Sequence, residues 1–208
     1  MRLSLPRVHW AVRLPVRVRK SPLSAGRAAA LALAGALLAG CTASGSATKD
    51  GGNLNPGTTV FRGATGPRAP AVTGTLVDGK KFTLTSDRGH VVVLNFWGSW
   101  CSVCHAEAPA LAAVASQSTA SGVRFLGVDV NDNTASAVAY MSDYRISYPS
   151  LNDPGDSIAL DFRGTIPIAA FPSTLVFARN GRLAGRIIGA VTYQGLTTMI
   201  KEAGKDPG

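Results

Sequence analysis

Cysteine is scarce in this chain, with three residues in 208, at positions 41, 101 and 104. Cys101 and Cys104 are so close that a bond between them closes a loop too small for much entropic stabilisation. Charge is also thin: 16% of residues are charged against 46% hydrophobic, a balance that excludes intrinsic disorder over the bulk of the chain. No internal repeat is visible. Acidic residues are absent from the first forty positions, which carry seven basic ones (Arg2, Arg7, Arg13, Arg17, Arg19, Lys20, Arg27). Without them, 14 basic residues face 12 acidic ones, so the net charge of +9 shrinks to +2. The basicity therefore belongs to a targeting segment, and a nucleic-acid partner is not implied. No apolar run is long enough to be a permanent transmembrane helix. The candidate, Ala28 through Ala39 (AAALALAGALLA), spans only about 18 Å as a helix, short of a hydrocarbon core of about 30 Å.

What is there begins with an organised N-terminus. The basic stretch followed by that short apolar run has the form of a signal peptide over residues 1–40. It ends in Leu38-Ala39-Gly40-Cys41, which resembles the lipobox of bacterial lipoprotein signals. The resemblance implies lipidation of Cys41 and an extracytoplasmic domain anchored to the bacterial cell membrane through two or more acyl chains. No Arg-Arg pair precedes the apolar run, which argues for export of an unfolded chain. Residues 41–67, rich in Gly, Ser, Thr and Pro, read as a flexible tether, with a single globular domain over 68–208.

Within that domain, residues 75–84 predict a hairpin turning at Asp78-Gly79. Val91 to Trp97 predicts a strand covered on both faces, and Val123 to Val130 a second. Ala and Leu at helical spacing mark 101–118, 134–144 fits a helix capped by Asn133 or Thr134, and 192–203 reads as a closing helix. Strands at 173–178 and 183–188 flank a turn at Asn180-Gly181. The alternation predicts an α/β fold: a central mixed sheet flanked by helices, with a β-hairpin extension at its N-terminal side.

Cys101-Ser102-Val103-Cys104 falls directly after the first buried strand and at a helix start. A helix N-terminus lowers the pKa of the first Cys, so the position suits redox exchange. Other chemistries use the same spacing. A structural disulfide would be oddly placed here. A zinc site would require two more ligands from His90 and His105. With His105, the stretch also matches the C-x-x-C-H haem-attachment motif, which makes a c-type electron-transfer protein the alternative of another class. A redox-inert binding module is a further one.

The run Val91 to Cys104, with its Trp-Cys-x-x-Cys core, resembles the active-site strand and helix of the thioredoxin superfamily. Glu107 and Pro109 beyond it, and the later Phe171-Pro172-Ser173-Thr174-Leu175-Val176-Phe177 followed by Arg179-Asn180-Gly181-Arg182, are similar to the TlpA/ResA-like branch over about residues 68–204. The resemblance implies a thioredoxin-like fold and thiol–disulfide oxidoreductase activity without a cofactor or metal. It implies Cys101 as nucleophile, Cys104 as resolving thiol and Glu107 as proton acceptor. Pro172 is the cis-proline candidate, with Phe171 offering backbone to an extended substrate and Trp100 shaping the docking surface. Trp97 belongs to the core. Asn95 stands where thioredoxins carry an Asp, which leaves Glu107 as the titrating group. Ser102 and Val103, without the Pro common among relatives, and His105 are the residues expected to tune the potential. The implied partners are exported proteins, such as the haem-binding cysteines of apocytochrome c, and a membrane thiol-transfer electron donor, with the protein acting as a monomeric reductant. A disulfide-forming oxidase is the same chemistry reversed. A peroxidase fits less well, its reactive Cys sitting in a motif without Trp100.

Overall fold

The computed structural model describes residues 55–205 other than Ile168. The signal peptide, Cys41 and most of the tether lie outside these residues. The sheet is mixed and six-stranded. Its members are β1 (Thr58–Val60), β4 (Val92–Trp97), β5 (Arg124–Val130), β6 (Ser150–Asp153), β7 (Ser173–Phe177) and β8 (Leu183–Ile188), in the order β1-β8-β7-β4-β5-β6. β4, β5 and β6 run parallel, whereas β7 is antiparallel to β4 and β8, and β1 is antiparallel to β8. β2 (Thr73–Thr75) and β3 (Lys81–Thr83) form the expected hairpin as a separate two-stranded sheet.

Four α-helices accompany these strands: α1 (Ser102–Ser118), α2 (Thr134–Asp143), α3 (Ser157–Asp161) and α4 (Tyr193–Lys205). The α1 and α2 crossovers return the chain to a parallel neighbour, as parallel pairing requires. Asn133 caps α2, its Oδ1 accepting from Ser136 N. α4 buries Leu196, Met199, Ile200 and Ala203, one stripe at helical spacing.

Every residue of β4 is buried, as expected of a central strand covered on both faces. Alternation splits its side chains between two cores. Val93 and Trp97 join α1, α2 and α4 on one side; Val92, Leu94 and Phe96 join Ile158, Phe162 and Leu84, just past the hairpin, on the other. Trp97 is core, stacked on Tyr140 with ring centroids 4.4 Å apart.

The tether boundary needs correction. Residues 58–60 lack hydrophobic periodicity, yet they pair with β8, from Thr58 opposite Ile187 to Val60 opposite Gly185. The sheet edge supplies the hydrogen bonds that the sequence alone does not advertise, so the folded domain begins before residue 68. β6 and α3 are also absent from the sequence reading: Ser-Leu-Asn-Asp is short and polar, and becomes a strand because β5 offers it a parallel edge. Among the described residues, no helix is long and apolar enough to cross a membrane.

β5 carries one costly group. Asp129 is fully buried, and neither carboxylate oxygen has a hydrogen-bond partner among the described residues. Burial, then the nearby carboxyls of Asp132 and Asp153, push Asp129 up to about 8. An unfolded chain releases this proton near pH 4. Between about pH 4 and 8 the native state therefore binds more protons than the unfolded one, and stability falls as pH rises. Asp129→Asn should remove that loss. In urea titrations its midpoint should gain on the parent's from pH 5 to 8, and the difference should level off above pH 8.

Candidate active site

The site forms where β4 ends and α1 begins. Cys101 is the N-cap of α1, and its sulfur accepts from Cys104 N at 3.2 Å. Cys101 and Cys104 are joined as a disulfide, their Cα atoms 5.2 Å apart. Cys101 is 7% exposed and Cys104 fully buried. An unpaired thiolate at Cys101 would face backbone N–H groups and the positive end of the α1 dipole, which stabilise its charge. Cys104 is enclosed by the core, and Tyr140 Oη donates to its carbonyl oxygen at 2.8 Å.

The loop before the pair is fixed from the neighbouring strand's end. Ser99 N donates to Asp132 Oδ2 at 2.6 Å, and Trp100 Nε1 donates to Val130 O at 3.1 Å. Gly98 is required by close approach: a Cβ there would lie 2.7 Å from Trp100 Cε2. Trp100 is more than half exposed, and its ring meets Phe171 edge-on with centroids 6.1 Å apart. The Phe171–Pro172 peptide is cis, and Pro172 O accepts from Gly189 N at 2.9 Å. Trp100, next to the pair, and Phe171, far from it in sequence, thus meet, with Pro172 buried behind Phe171 at the entry to β7.

Glu107 lies one turn beyond Cys104 on the same face of α1 and is only 1% exposed. Asn95 Nδ2 donates to its Oε1 and Val191 N to its Oε2, each at 2.9 Å. Asn95 also donates to Thr174 Oγ1 at 3.2 Å, tying the carboxylate to the start of β7. Burial raises Glu107 to about 7, although the two hydrogen bonds pull the other way. The carboxyl is therefore poised to exchange a proton near neutral pH.

The remaining sequence candidates divide. Ser102 and Val103 are exposed on the first turn of α1. His105 faces neither solvent alone nor the sulfurs: Nε2 lies 2.7 Å from Ser99 O and Nδ1 2.9 Å from Tyr144 Oη. A carbonyl only accepts, so Nε2 carries the hydrogen and, in the neutral ring, Nδ1 accepts from the phenol. Those bonds remove His105 from iron ligation, and the Cys104 sulfur is sealed in the core, so the residues do not fit a haem. The zinc alternative fails on placement. His90 precedes β4 whereas Cys101 follows it, and no cluster of three or more His, Cys, Asp or Glu side chains suited to a metal ion exists among the described residues.

Sequence reasoning missed Val191, Asp132 and Tyr140. Val191 contributes only a backbone N–H, for which no side-chain signal exists. Asp132 beside the Asn133 cap was visible only as a helix start, and Tyr140 only as an apolar helix position.

A mixed sheet with a disulfide at a helix N-terminus, a cis-proline beside it and a buried carboxyl one turn on defines a thiol–disulfide oxidoreductase of the thioredoxin-like fold. Residues 65–186 match the AhpC/TSA family, and the chain belongs to that family. Among curated relatives it is 28% identical over 137 residues to the thiol-disulfide oxidoreductase ResA of Bacillus thuringiensis, covering 66% of this chain and 77% of the relative. It is 30% identical to the thiol:disulfide interchange protein HelX of Rhodobacter capsulatus, covering 65% of this chain and 67% of that one. A secreted thiol-disulfide isomerase from Corynebacterium glutamicum superposes with a TM-score of 0.66 at 25% identity, covering 75% of this chain and 95% of the isomerase. The TlpA/ResA-like resemblance thus holds.

The unequal burial of the two sulfurs predicts an order of reactivity. After reduction, a limiting pulse of iodoacetamide at pH 7 should label Cys101 well ahead of Cys104, as read by peptide mass spectrometry.

Proposed function

We propose that this protein is a lipid-anchored, extracytoplasmic reductant of disulfides in exported proteins, recharged by a membrane thiol-transfer donor. The observation that carries the reading is the buried Glu107 carboxyl one helical turn from Cys104, raised to about 7. The Cys101 thiolate attacks a substrate disulfide, forming a mixed disulfide and releasing one substrate thiolate. Cys104 then gives its proton to Glu107 and attacks Cys101 Sγ. The second substrate thiolate leaves, the Cys101–Cys104 disulfide closes, and two electrons have passed to the substrate. The base is needed because Cys104 sits in apolar surroundings that disfavour its thiolate.

Substrate docking is assigned to Trp100 and the Phe171–Pro172 loop, where Phe171 offers backbone to an extended segment. Ser102, Val103, His105 and Asn95 tune the potential, His105 by fixing the Ser99 carbonyl and the α1 start. Apocytochrome c is the substrate that the TlpA/ResA resemblance suggests. The location is supported by the signal-like N-terminus, by the Leu38-Ala39-Gly40-Cys41 sequence and by the secreted character of the Corynebacterium glutamicum isomerase. Residues 1–40 are assigned as signal peptide, Cys41 as the lipidated first residue and the stretch before β1 as tether.

Titration of the pair against glutathione and dithiothreitol buffers, followed by the fluorescence of Trp97 and Trp100, tests the direction. A potential near the roughly −270 mV of thioredoxin supports the reductant; one near the roughly −120 mV of strong oxidants reverses the assignment to disulfide formation. Stopped-flow resolution of a preformed mixed disulfide should accelerate as pH rises through about 7, where Glu107 becomes able to accept a proton. Glu107→Gln should flatten that profile and slow resolution by roughly 10²-fold, the lower end of general-base contributions. Cys41→Ser should move the protein from the membrane fraction to the soluble extracytoplasmic fraction and abolish incorporation of labelled fatty acid.

A further inference from the structure

The loop between β8 and α4 completes the Glu107 site, and each of its residues has a partner elsewhere. Gly189 N donates to Pro172 O at 2.9 Å, and Val191 N donates to Glu107 Oε2 at 2.9 Å. The two residues flanking Val191 are held by one side chain far upstream. Asn55 Nδ2 donates to Ala190 O at 2.9 Å, and Asn55 Oδ1 accepts from Thr192 N at 3.2 Å and from Thr192 Oγ1 at 3.1 Å. One carboxamide thus brackets Val191 from both sides. Its orientation is itself fixed. Asn55 is 8% exposed, its carbonyl accepts from Thr58 N at 3.2 Å and Thr58 Oγ1 at 2.7 Å, and Thr58 is already paired into β1. α4 is packed against it as well, since a Cβ at Gly195 would overlap Asn55 Oδ1.

We propose that Asn55 is a positioning residue for the thiol–disulfide chemistry: its side-chain amide holds the Val191 N–H on Glu107 and so sets the proton affinity of that carboxyl. A donor to a carboxylate favours the charged form, so loosening Val191 raises the pH at which Glu107 gives up its proton. No cation facing Glu107 competes for this role among the described residues. The titratable groups that face it are Cys104 on α1, Tyr140 on α2 and Tyr148 ahead of β6. Burial, and then the charge of Glu107, hold both phenols neutral across the range in question. Asn95 supplies the other donor from β4. The inference rests on Glu107 as the proton acceptor of the exchange, and its test keeps the two claims apart.

The experiment is a ¹³C NMR titration of the Glu107 side-chain carboxyl in the reduced protein, assigned by its loss in Glu107→Gln. Asn55→Ala should move the midpoint up by roughly half a pH unit or more. Gly195→Ala provides a second variant that displaces the Asn55 carboxamide while retaining it and favouring the helix, and it should shift the midpoint in the same direction. An unchanged midpoint in either folded variant overturns the inference, since a purely structural role for Asn55 lowers the melting temperature without moving this carboxyl. A shifted midpoint sustains it. The mixed-disulfide pH profile is then read separately: a midpoint that moves while the profile does not leaves Asn55 where it is placed and removes Glu107 from the exchange.

Discussion

A carboxyl that is taken out of water must find its hydrogen bonds inside the protein, and the site around Glu107 is built to satisfy that requirement. The carboxyl stands one turn along α1 from a sealed sulfur, in a region it shares with the phenols of Tyr140 and Tyr148 and with apolar side chains. Leaving either oxygen unpaired there would cost about 1–3 kcal/mol or more for a charged group. Its two donors come from β4 and from the loop before α4, which lie 12 and 84 positions away in the chain. Asn95 extends the connection to Thr174 just past the cis-proline, and the loop extends it to Asn55. Strand β4, helix α1, the start of β7 and Asn55 ahead of β1 are therefore linked, directly or through one intermediate, to one ionisable group.

That arrangement accounts for a division of labour between the two carboxyls that burial raises. Glu107 keeps donors on both oxygens, so its charged form remains accessible and its proton is exchangeable near neutrality. Asp129 has none, and neighbouring carboxyls oppose its ionisation, so it behaves as a neutral filler at the end of β5. Burial raises both acids within one fold, and it raises Asp129 further because Glu107 is given N–H partners whereas Asp129 faces other carboxyls.

Much of this was readable from the residues, for reasons that can be traced. β4 announced itself because a strand covered on both faces is a continuous apolar run, and α1 because Ala and Leu recur in it at helical spacing. The Cys pair was visible because its chemistry lies in its side chains and their spacing, and Pro172 because the stretch around it resembles the family's proline loop. β1 and β6 were not, because three or four polar residues become strands only when a neighbouring strand presents its edge. Val191 was invisible because it acts through its backbone, and Asn55 because its partners are loop atoms more than a hundred positions away. Conversely, the match of Cys101 to His105 to a haem motif was legible and misleading. Only the folded environment shows that Cys104 is sealed and that the imidazole is spent on Ser99 and Tyr144.

The hairpin and β1 have a consequence beyond the domain boundary. A sheet that ends in open strands invites another molecule to add its own, because unpaired N–H and C=O groups at an edge are a template. Here β6 is four residues long and its outer side is partly taken: Leu76 bridges Leu151, and Val77 N donates to Ser150 O at 2.8 Å. At the opposite side the six-residue β8 is covered by β1, which runs for only three residues. Short terminal strands of this kind offer little to an incoming chain. Exchange of disulfides with another protein brings a second chain against this one, and edges this short keep that encounter from turning into strand addition.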